Sequence, residues 1–114
     1  MNGIELLADT NFIINLNQGS SFTLPFLNYN FSVSYITEIE LLGAFNISKK
    51  QKDIYKDILN QCVIFEMNNQ IKQECIRIRN NHKLKIPDAI IAATSIVYNI
   101  PLITSDKEFK KSKN

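Results

Sequence analysis

Short apolar runs alternate with segments of helical periodicity along the whole chain. The apolar runs predict strands at residues 4–8, 31–34, 63–65 and 102–104. The segments between them predict helices over residues 12–16, 37–44, 51–59, 68–80 and 87–98, with an irregular or short helical stretch at 22–27. Apolar strands that alternate with helices are typical of parallel sheets covered on both faces. We therefore predict a three-layer α/β/α sandwich around a parallel sheet of about four strands.

The length and composition fit one globular domain. The 114 residues are 45% hydrophobic, enough for one core and too few for a second domain, so residues 1–114 are treated as a single unit. The first residues do not resemble a signal peptide, and no apolar stretch approaches the roughly 18 residues that a membrane span needs. We expect a cytoplasmic protein with no membrane contact. Cys62 and Cys75 lack partners at a zinc-ligand spacing, and we expect both in the core.

Two acidic residues follow predicted strands. Asp9 comes directly after the first strand, and Asp106 lies two residues beyond the Thr that ends the fourth. Parallel strands present their carboxyl ends at one edge of a sheet, where ligands of such folds bind. Asp88 lies in the first turn of the last helix, just after Pro87, where a lone acid would ordinarily cap the helix or oppose its dipole.

Glu40 is distinguished by its helical face. At about 100° per residue it shares a face with Ile36, Ile39, Gly43 and Ile47, whereas Glu38 points to roughly the opposite side. A carboxylate on an apolar face has to be neutralised, paired with a base or bound to a cation, because burying an unpaired charge is costly. The pattern therefore favours Glu40 over Glu38 as a candidate site residue.

Four acids at one place imply a cation. They would repel one another unless a divalent ion lay among them, and an all-oxygen ligand set without His or Cys favours Mg²⁺ or Mn²⁺. Such an ion can activate water for attack on a phosphodiester. The net charge is +2, but thirteen basic side chains against the seven acids outside the candidate set leave +6 on the rest of the chain. A basic surface around an acidic site suits an anionic polymer.

The acids lie within longer segments of recognisable type: 7–11 (LADTN), 36–43 (ITEIELLG), 84–93 (LKIPDAIIAA) and 103–106 (ITSD), followed by Phe109. In this order and over nearly the whole chain, the sequence resembles a PIN domain, especially the VapC-type toxins. Each acid alone is a weak signal, but four at the expected elements are fairly specific.

This resemblance implies an endoribonuclease that uses Mg²⁺ or Mn²⁺, forms a homodimer and is held inactive by a cognate antitoxin. The catalytic and metal-binding acids of the family match four residues here, and two polar residues match positions that support the first and last acids. Ser105 is a further candidate for the supporting set. The matched acids are Asp9, Glu40, Asp88 and Asp106, and the supporting residues are Asn11 and Thr104.

Two further expectations concern the edges of the site. Members of the family usually continue past the last acid into another strand, whereas this sequence ends in a lysine-rich segment, so we expect that final strand to be missing. A basic cluster before Asp88 could hold RNA phosphates or could be an ordinary solvated helix end. The cluster consists of Arg77, Arg79, Lys83 and Lys85. His82 is expected in an exposed loop, outside the chemistry.

Other functions stay open at this point. A solitary RNA-processing nuclease would have the same fold and site, and a related domain could bind RNA or a partner without cleaving. A phospho-accepting receiver domain also has an acid after a strand, a Thr at the end of a later strand and a Lys. It requires, however, paired acids after the first strand and a phosphorylatable Asp after the third. Here Asp9 stands alone and Glu66-Met67-Asn68 follows the third strand. The sequence does not select among transfer, ribosomal and messenger RNA as the target.

Overall fold

The computed structural model describes residues 6–104. Four strands, β1 (Leu6–Ala8), β2 (Phe31–Ser34), β3 (Val63–Phe65) and β4 (Leu102–Ile103), form one sheet in the order β3-β2-β1-β4, and every pair in it is parallel. The helices are α1 (Thr10–Asn17), α2 (Tyr35–Leu42), α3 (Lys49–Leu59), α4 (Asn69–Asn81) and α5 (Ile86–Tyr98), with a 3₁₀ segment at Ser21–Phe26. The predicted parallel α/β fold is confirmed. The expected absence of a final strand concerns residues outside the described range.

Alternation along β1 explains the two covered faces of the sheet. Leu7 is fully buried in a cluster with residues of α4 and α5, and the next residue, Ala8, is fully buried in a second cluster. The second cluster contains Phe12 and Ile13 from α1, together with side chains of α2 and α3. Because successive side chains of a strand point to opposite faces, one short strand contributes side chains to both clusters. The sheet is thereby the middle layer of an α/β/α sandwich.

Polar caps fix where the helices begin. Ser34 accepts a hydrogen bond from the backbone N–H of Ile36, and Ser48 accepts one from Gln51 N, as N-cap residues commonly do. The predicted start of α2 at Thr37 is therefore wrong by two residues, because the serine that ends β2 already caps the helix. The second helix of this pair likewise begins at Lys49, directly after its Ser48 cap, two residues before the predicted start.

The apolar residues of α2 away from Glu40 are only partly covered. Leu41 is buried and Leu42 half-buried in the cluster that also contains residues of α3. Phe45, just beyond the end of α2, is by contrast 93% exposed. Over residues 6–104, no helix is long and apolar enough to cross a membrane.

Both cysteines are free thiols in apolar surroundings. Cys75 is buried on the inner face of α4, and Cys62 is half-buried beside the second cluster. Burial raises the pKa of both thiols. The expected core position is confirmed for Cys75 and holds in part for Cys62.

Candidate active site

Asp9 is both the first residue after β1 and the cap of α1. Its side chain is almost completely buried, at 2% exposure, and Oδ1 accepts a hydrogen bond of 2.7 Å from the backbone N–H of Phe12. Asp is among the best N-cap residues because its carboxylate pairs with an otherwise unpaired donor and faces the positive end of the helix. The local sequence thus holds one candidate acid in a fixed orientation at the carboxyl end of a central strand.

Thr104 reaches the other oxygen of the same carboxylate. The parallel pairing of β1 with β4 places Ala8 beside Ile103, and the backbone N–H of Asp9 donates to the Ile103 carbonyl at 3.3 Å. The next residue on each strand is therefore adjacent, and the Thr104 hydroxyl donates to Asp9 Oδ2. Thr104, which the resemblance gave as a supporting residue, thus contacts the carboxylate of Asp9, whereas its predicted support of Asp106 concerns a residue outside the described range.

Glu40 lies on α2 and is exposed. The apolar face that Glu40 shares is only partly covered: Ile36 and Ile47 are half-buried, whereas Ile39 and Gly43 are exposed, so the carboxylate is not buried as expected. The glycine has a different reason for its small size: a Cβ at Gly43 would lie 2.6 Å from the carbonyl oxygen of Ile39, in the turn that ends α2. What singles out Glu40 in the structure is a hydrogen bond of 2.5 Å from the hydroxyl of Thr10 to its Oε1.

Thr10 and Thr37 are the polar residues that the sequence reasoning missed. Thr10 is the first residue of α1, and its Oγ1 also lies 3.0 Å from Oγ1 of Thr37, which is completely buried in α2. The sequence did contain one indication of Thr37 as a site residue: it precedes Glu40 by three residues and so lies on nearly the same helical face. The hydroxyl of Thr10 thus joins the turn that carries Asp9 to the helix that carries Glu40.

Asp88 occupies the first turn of α5 and is half-buried. The N-cap residue of this helix, Lys85, makes no side-chain capping hydrogen bond. Asp88 is the acidic residue of the first turn, so its negative charge faces the positive end of the helix dipole. Ala89, which follows it, belongs to the same buried cluster as Leu7 of β1. Asp106 and Ser105, the remaining predicted residues, lie outside the described range.

The chemistry of these donors suits a hard divalent cation. The candidates are carboxylates with a hydroxyl beside each of Asp9 and Glu40, without His or Cys, and this is the ligand class of Mg²⁺ and Mn²⁺. Within residues 6–104 no three His, Cys, Asp or Glu side chains group closely enough to hold an ion. Since Mg²⁺ is commonly held by only one or two carboxylates plus waters and phosphate oxygens, the donors present fit such an ion.

Asn11 and the predicted RNA-contacting residues are at the surface. Asn11 is exposed, and its carbonyl oxygen accepts a hydrogen bond from Asn15 Nδ2 at 2.9 Å. Arg77 pairs with Glu74, which raises the pKa of the guanidinium, whereas Arg79 Nε donates to the Leu84 carbonyl at 3.1 Å. Two lysines, Lys83 and Lys85, are exposed in the segment between α4 and α5, and the exposed position of His82 is as predicted.

The two arginines lie on different sides of α4. They are two positions apart and therefore about 200° apart around the helix. The pairing of Arg77 with Glu74 reduces the net charge at that site, whereas Arg79 lies beside the segment that leads into α5 and Asp88. The two arginines thus differ in their surroundings, and their contact with RNA stays a prediction.

Comparison with known proteins identifies relatives of this chain. The family model described as the PIN domain matches residues 6–113. A toxin–antitoxin complex from Klebsiella pneumoniae contains a similar chain, with 31% sequence identity and a TM-score of 0.79 over 92% of this chain and 90% of that one. A search of curated proteins gives no match.

Two more distant structures support the fold alone. VapBC2 from Rickettsia felis, bound to a promoter DNA fragment, is 21% identical with a TM-score of 0.79 over 93% of this chain and 91% of that one. DNA-bound VapBC from Salmonella typhimurium is 16% identical with a TM-score of 0.80, over 96% and 92% of the two chains. The arrangement of strands and helices is thus shared even where few residues are identical.

Proposed function

We propose, from the premise that this chain belongs to the PIN domain family, that it is a Mg²⁺- or Mn²⁺-dependent endoribonuclease and the toxin of a toxin–antitoxin pair. The observation that carries the proposal is the Asp9 carboxylate, buried at the carboxyl end of β1 and oriented through both of its oxygens. The similarity to a chain of a toxin–antitoxin complex supports the toxin role and a protein antitoxin as partner. RNA as substrate places its action in the cytoplasm, and a homodimer remains our expectation for its assembly.

Asp9, Glu40, Asp88 and Asp106 would hold the ion. When bound, a divalent cation supplies Lewis acidity that activates water and offsets the charge of a phosphodiester. The chain itself contributes orientation: the Phe12 amide and the Thr104 hydroxyl fix Asp9, and the Thr10 hydroxyl fixes one oxygen of Glu40. Hydrolysis then needs no side-chain nucleophile, because water adds to phosphorus as the bond to the leaving oxygen breaks.

The positive surface would hold the RNA backbone. Outside the four acids the chain is strongly basic, and Arg79, Lys83 and Lys85 lie close to Asp88 along the chain. Phosphate contacts of this kind position RNA without reading its sequence. We therefore expect binding to weaken with salt and to be shared by many RNA sequences, with cleavage preference set by other contacts.

The test is cleavage of RNA by matched pairs of variants. The purified chain is incubated with total RNA in Mg²⁺ or Mn²⁺, and Glu40→Gln is compared with Glu38→Gln, an equal change of charge two residues away on α2. We expect Glu40→Gln and Asp88→Asn to lose cleavage and Glu38→Gln to retain it. Cleavage that survives both Asp88→Asn and chelator would contradict the proposal.

A cognate antitoxin separates the toxin from a solitary nuclease. A gene for a small protein next to this one, whose product suppresses the cleavage when mixed with the chain, supports the toxin role. Cleavage that no neighbouring gene product suppresses would support a solitary RNA-processing enzyme instead. Binding of RNA without cleavage in either metal would support a non-catalytic domain.

A further inference from the structure

The hydroxyl of Thr10 lies between two groups that belong to α2. It is 2.5 Å from Glu40 Oε1 and 3.0 Å from Thr37 Oγ1, and Thr10 follows Asp9 directly in the chain. We propose that Thr10, supported by Thr37, is a positioning residue that orients the Glu40 carboxylate toward the divalent ion. This inference rests on the proposed function, because it assigns Glu40 to the metal site.

The proton count gives the direction of the two hydrogen bonds. Each threonine hydroxyl has one proton to donate, and an ionised carboxylate has none. Thr10 therefore donates to Glu40, and its oxygen accepts from Thr37. The result is a directed chain from Thr37 through Thr10 to the carboxylate, in which only the last member can contact an ion.

Burial makes Thr37 the fixed end of this chain. Its side chain is completely buried, so water cannot easily replace Thr10 as the acceptor of its proton. Thr10 is half-buried, and its branched Cβ restricts the rotation that would turn the hydroxyl away. A rigid hydroxyl is thus presented to Glu40 from the first turn of α1.

Glu40 itself lacks other constraints among the described contacts. It is exposed on α2, and an exposed glutamate loses substantial rotamer freedom when it is held in one position. A hydrogen bond from Thr10 restricts that freedom before an ion binds, so less is lost on binding. Partners that orient metal ligands in this way typically contribute 10–100-fold to metal affinity. We expect the lower end of that range here, because solvent reaches the carboxylate.

The test measures Mn²⁺ affinity by electron paramagnetic resonance, with RNA cleavage and the melting temperature recorded in parallel. Thr10→Val keeps the shape of the side chain and removes the hydroxyl, and we expect its Mn²⁺ dissociation constant to rise about tenfold. Thr10→Ser keeps the hydroxyl and should stay close to the wild type. Thr23→Val is the control for loss of a threonine hydroxyl, since Thr23 is more deeply buried than Thr10 and donates to the Ser20 carbonyl at 2.7 Å, outside the acidic site.

A double-mutant cycle separates positioning from a loss of stability. In a Glu40→Gln background, Thr10→Val should change the Mn²⁺ constant little, because the carboxylate that it orients is already gone. An equal loss of affinity in both backgrounds would overturn the assignment. So would a folded Thr10→Val protein with wild-type affinity, or a Thr10→Ser protein as weak as Thr10→Val.

The outcomes also distinguish this inference from the function on which it rests. If the wild type cleaves RNA with metal and Thr10→Val binds Mn²⁺ normally, the positioning role fails and the function stands. If the wild type binds Mn²⁺ without cleaving RNA, the function fails, and the comparison of Thr10 variants still decides the positioning role. A wild type that binds no Mn²⁺ overturns both.

Discussion

Replacing Asp9 by Asn and by Ala separates the two tasks of this carboxylate. Its Oδ1 accepts the backbone N–H of Phe12 at 2.7 Å and so caps α1, and the negative charge is the candidate metal ligand. Asparagine keeps an acceptor oxygen of the same reach and caps helices as well as aspartate. Alanine removes both the acceptor and the charge. We expect both variants to be inactive and only the alanine variant to be clearly destabilised.

The expected difference in stability between the two variants depends on the burial of the backbone N–H that Asp9 caps. Loss of an N-cap costs about 0.5–2 kcal/mol, and we expect the upper end because Phe12 is completely buried and its amide would lose its partner. An unfolding entropy of about 2.1 cal/mol/K per residue gives about 0.24 kcal/mol/K for this chain of 114 residues. Asp9→Ala should therefore lower the melting temperature by about 8 °C. Asp9→Asn keeps the cap and loses the attraction of its charge to the helix dipole, about 0.3–1 kcal/mol or about 1–4 °C, and the Thr104 hydroxyl, which donates to Oδ2 in the wild type, must then accept from the asparagine Nδ2.

The assay is thermal unfolding followed by circular dichroism without metal, together with RNA cleavage in Mg²⁺. Asp57→Asn, a change of an exposed acid on α3, controls for the loss of one negative charge. Equal destabilisation by Asn and Ala would refute the capping role of Asp9. Cleavage by the folded Asp9→Asn protein would refute its role in the site.

Three further predictions concern residues outside the acidic site. Phe45 is 93% exposed, so Phe45→Ser should change the free energy of unfolding in urea by less than about 0.5 kcal/mol. Leu41→Ala, at a position 2% exposed, should cost about 2–5 kcal/mol, and similar values for the two would contradict the described packing of α2. Gly43→Ala should destabilise by about 1–3 kcal/mol, because the new Cβ would lie 2.6 Å from the Ile39 carbonyl oxygen; a higher melting temperature would contradict this. Burial raises the pKa of Cys62, so its thiolate fraction at pH 8 is below that of a free thiol, and we expect slower disulfide exchange with Ellman's reagent than for the urea-unfolded chain; equal rates would refute it.

The fold was predictable because most strands and helices are indicated by the pattern of apolar and polar residues within their own segment. Runs such as 63–65 mark strands, and Asn68 was recognisable as a helix start, so element order and parallel pairing followed from general rules. The start of α2 was misplaced because Ser34 both ends a strand and caps a helix. Periodicity assigns a residue to an element, but it does not say which of two adjacent polar residues forms the cap.

The environment of Glu40 could not be derived in this way. A helical wheel gives the face that Glu40 shares with its neighbours, but whether that face is covered depends on the elements packed against it. In the structure the face is open only around Glu40 itself, and the partner of Glu40 is Thr10, thirty residues earlier in the sequence. The link between Asp9 and Thr104 was easier to foresee, since parallel strands bring their carboxyl ends together.

The central claim is that this chain uses a divalent ion at its carboxylates to hydrolyse RNA. The most direct measurement is the initial rate at which the purified wild-type chain cleaves a fluorophore-quencher RNA in rising Mg²⁺, then with excess EDTA, then after Mg²⁺ is restored. We expect a rate that rises to saturation with Mg²⁺, vanishes in EDTA and returns with the metal. Cleavage at an undiminished rate in EDTA would contradict it, and so would the absence of cleavage in both Mg²⁺ and Mn²⁺.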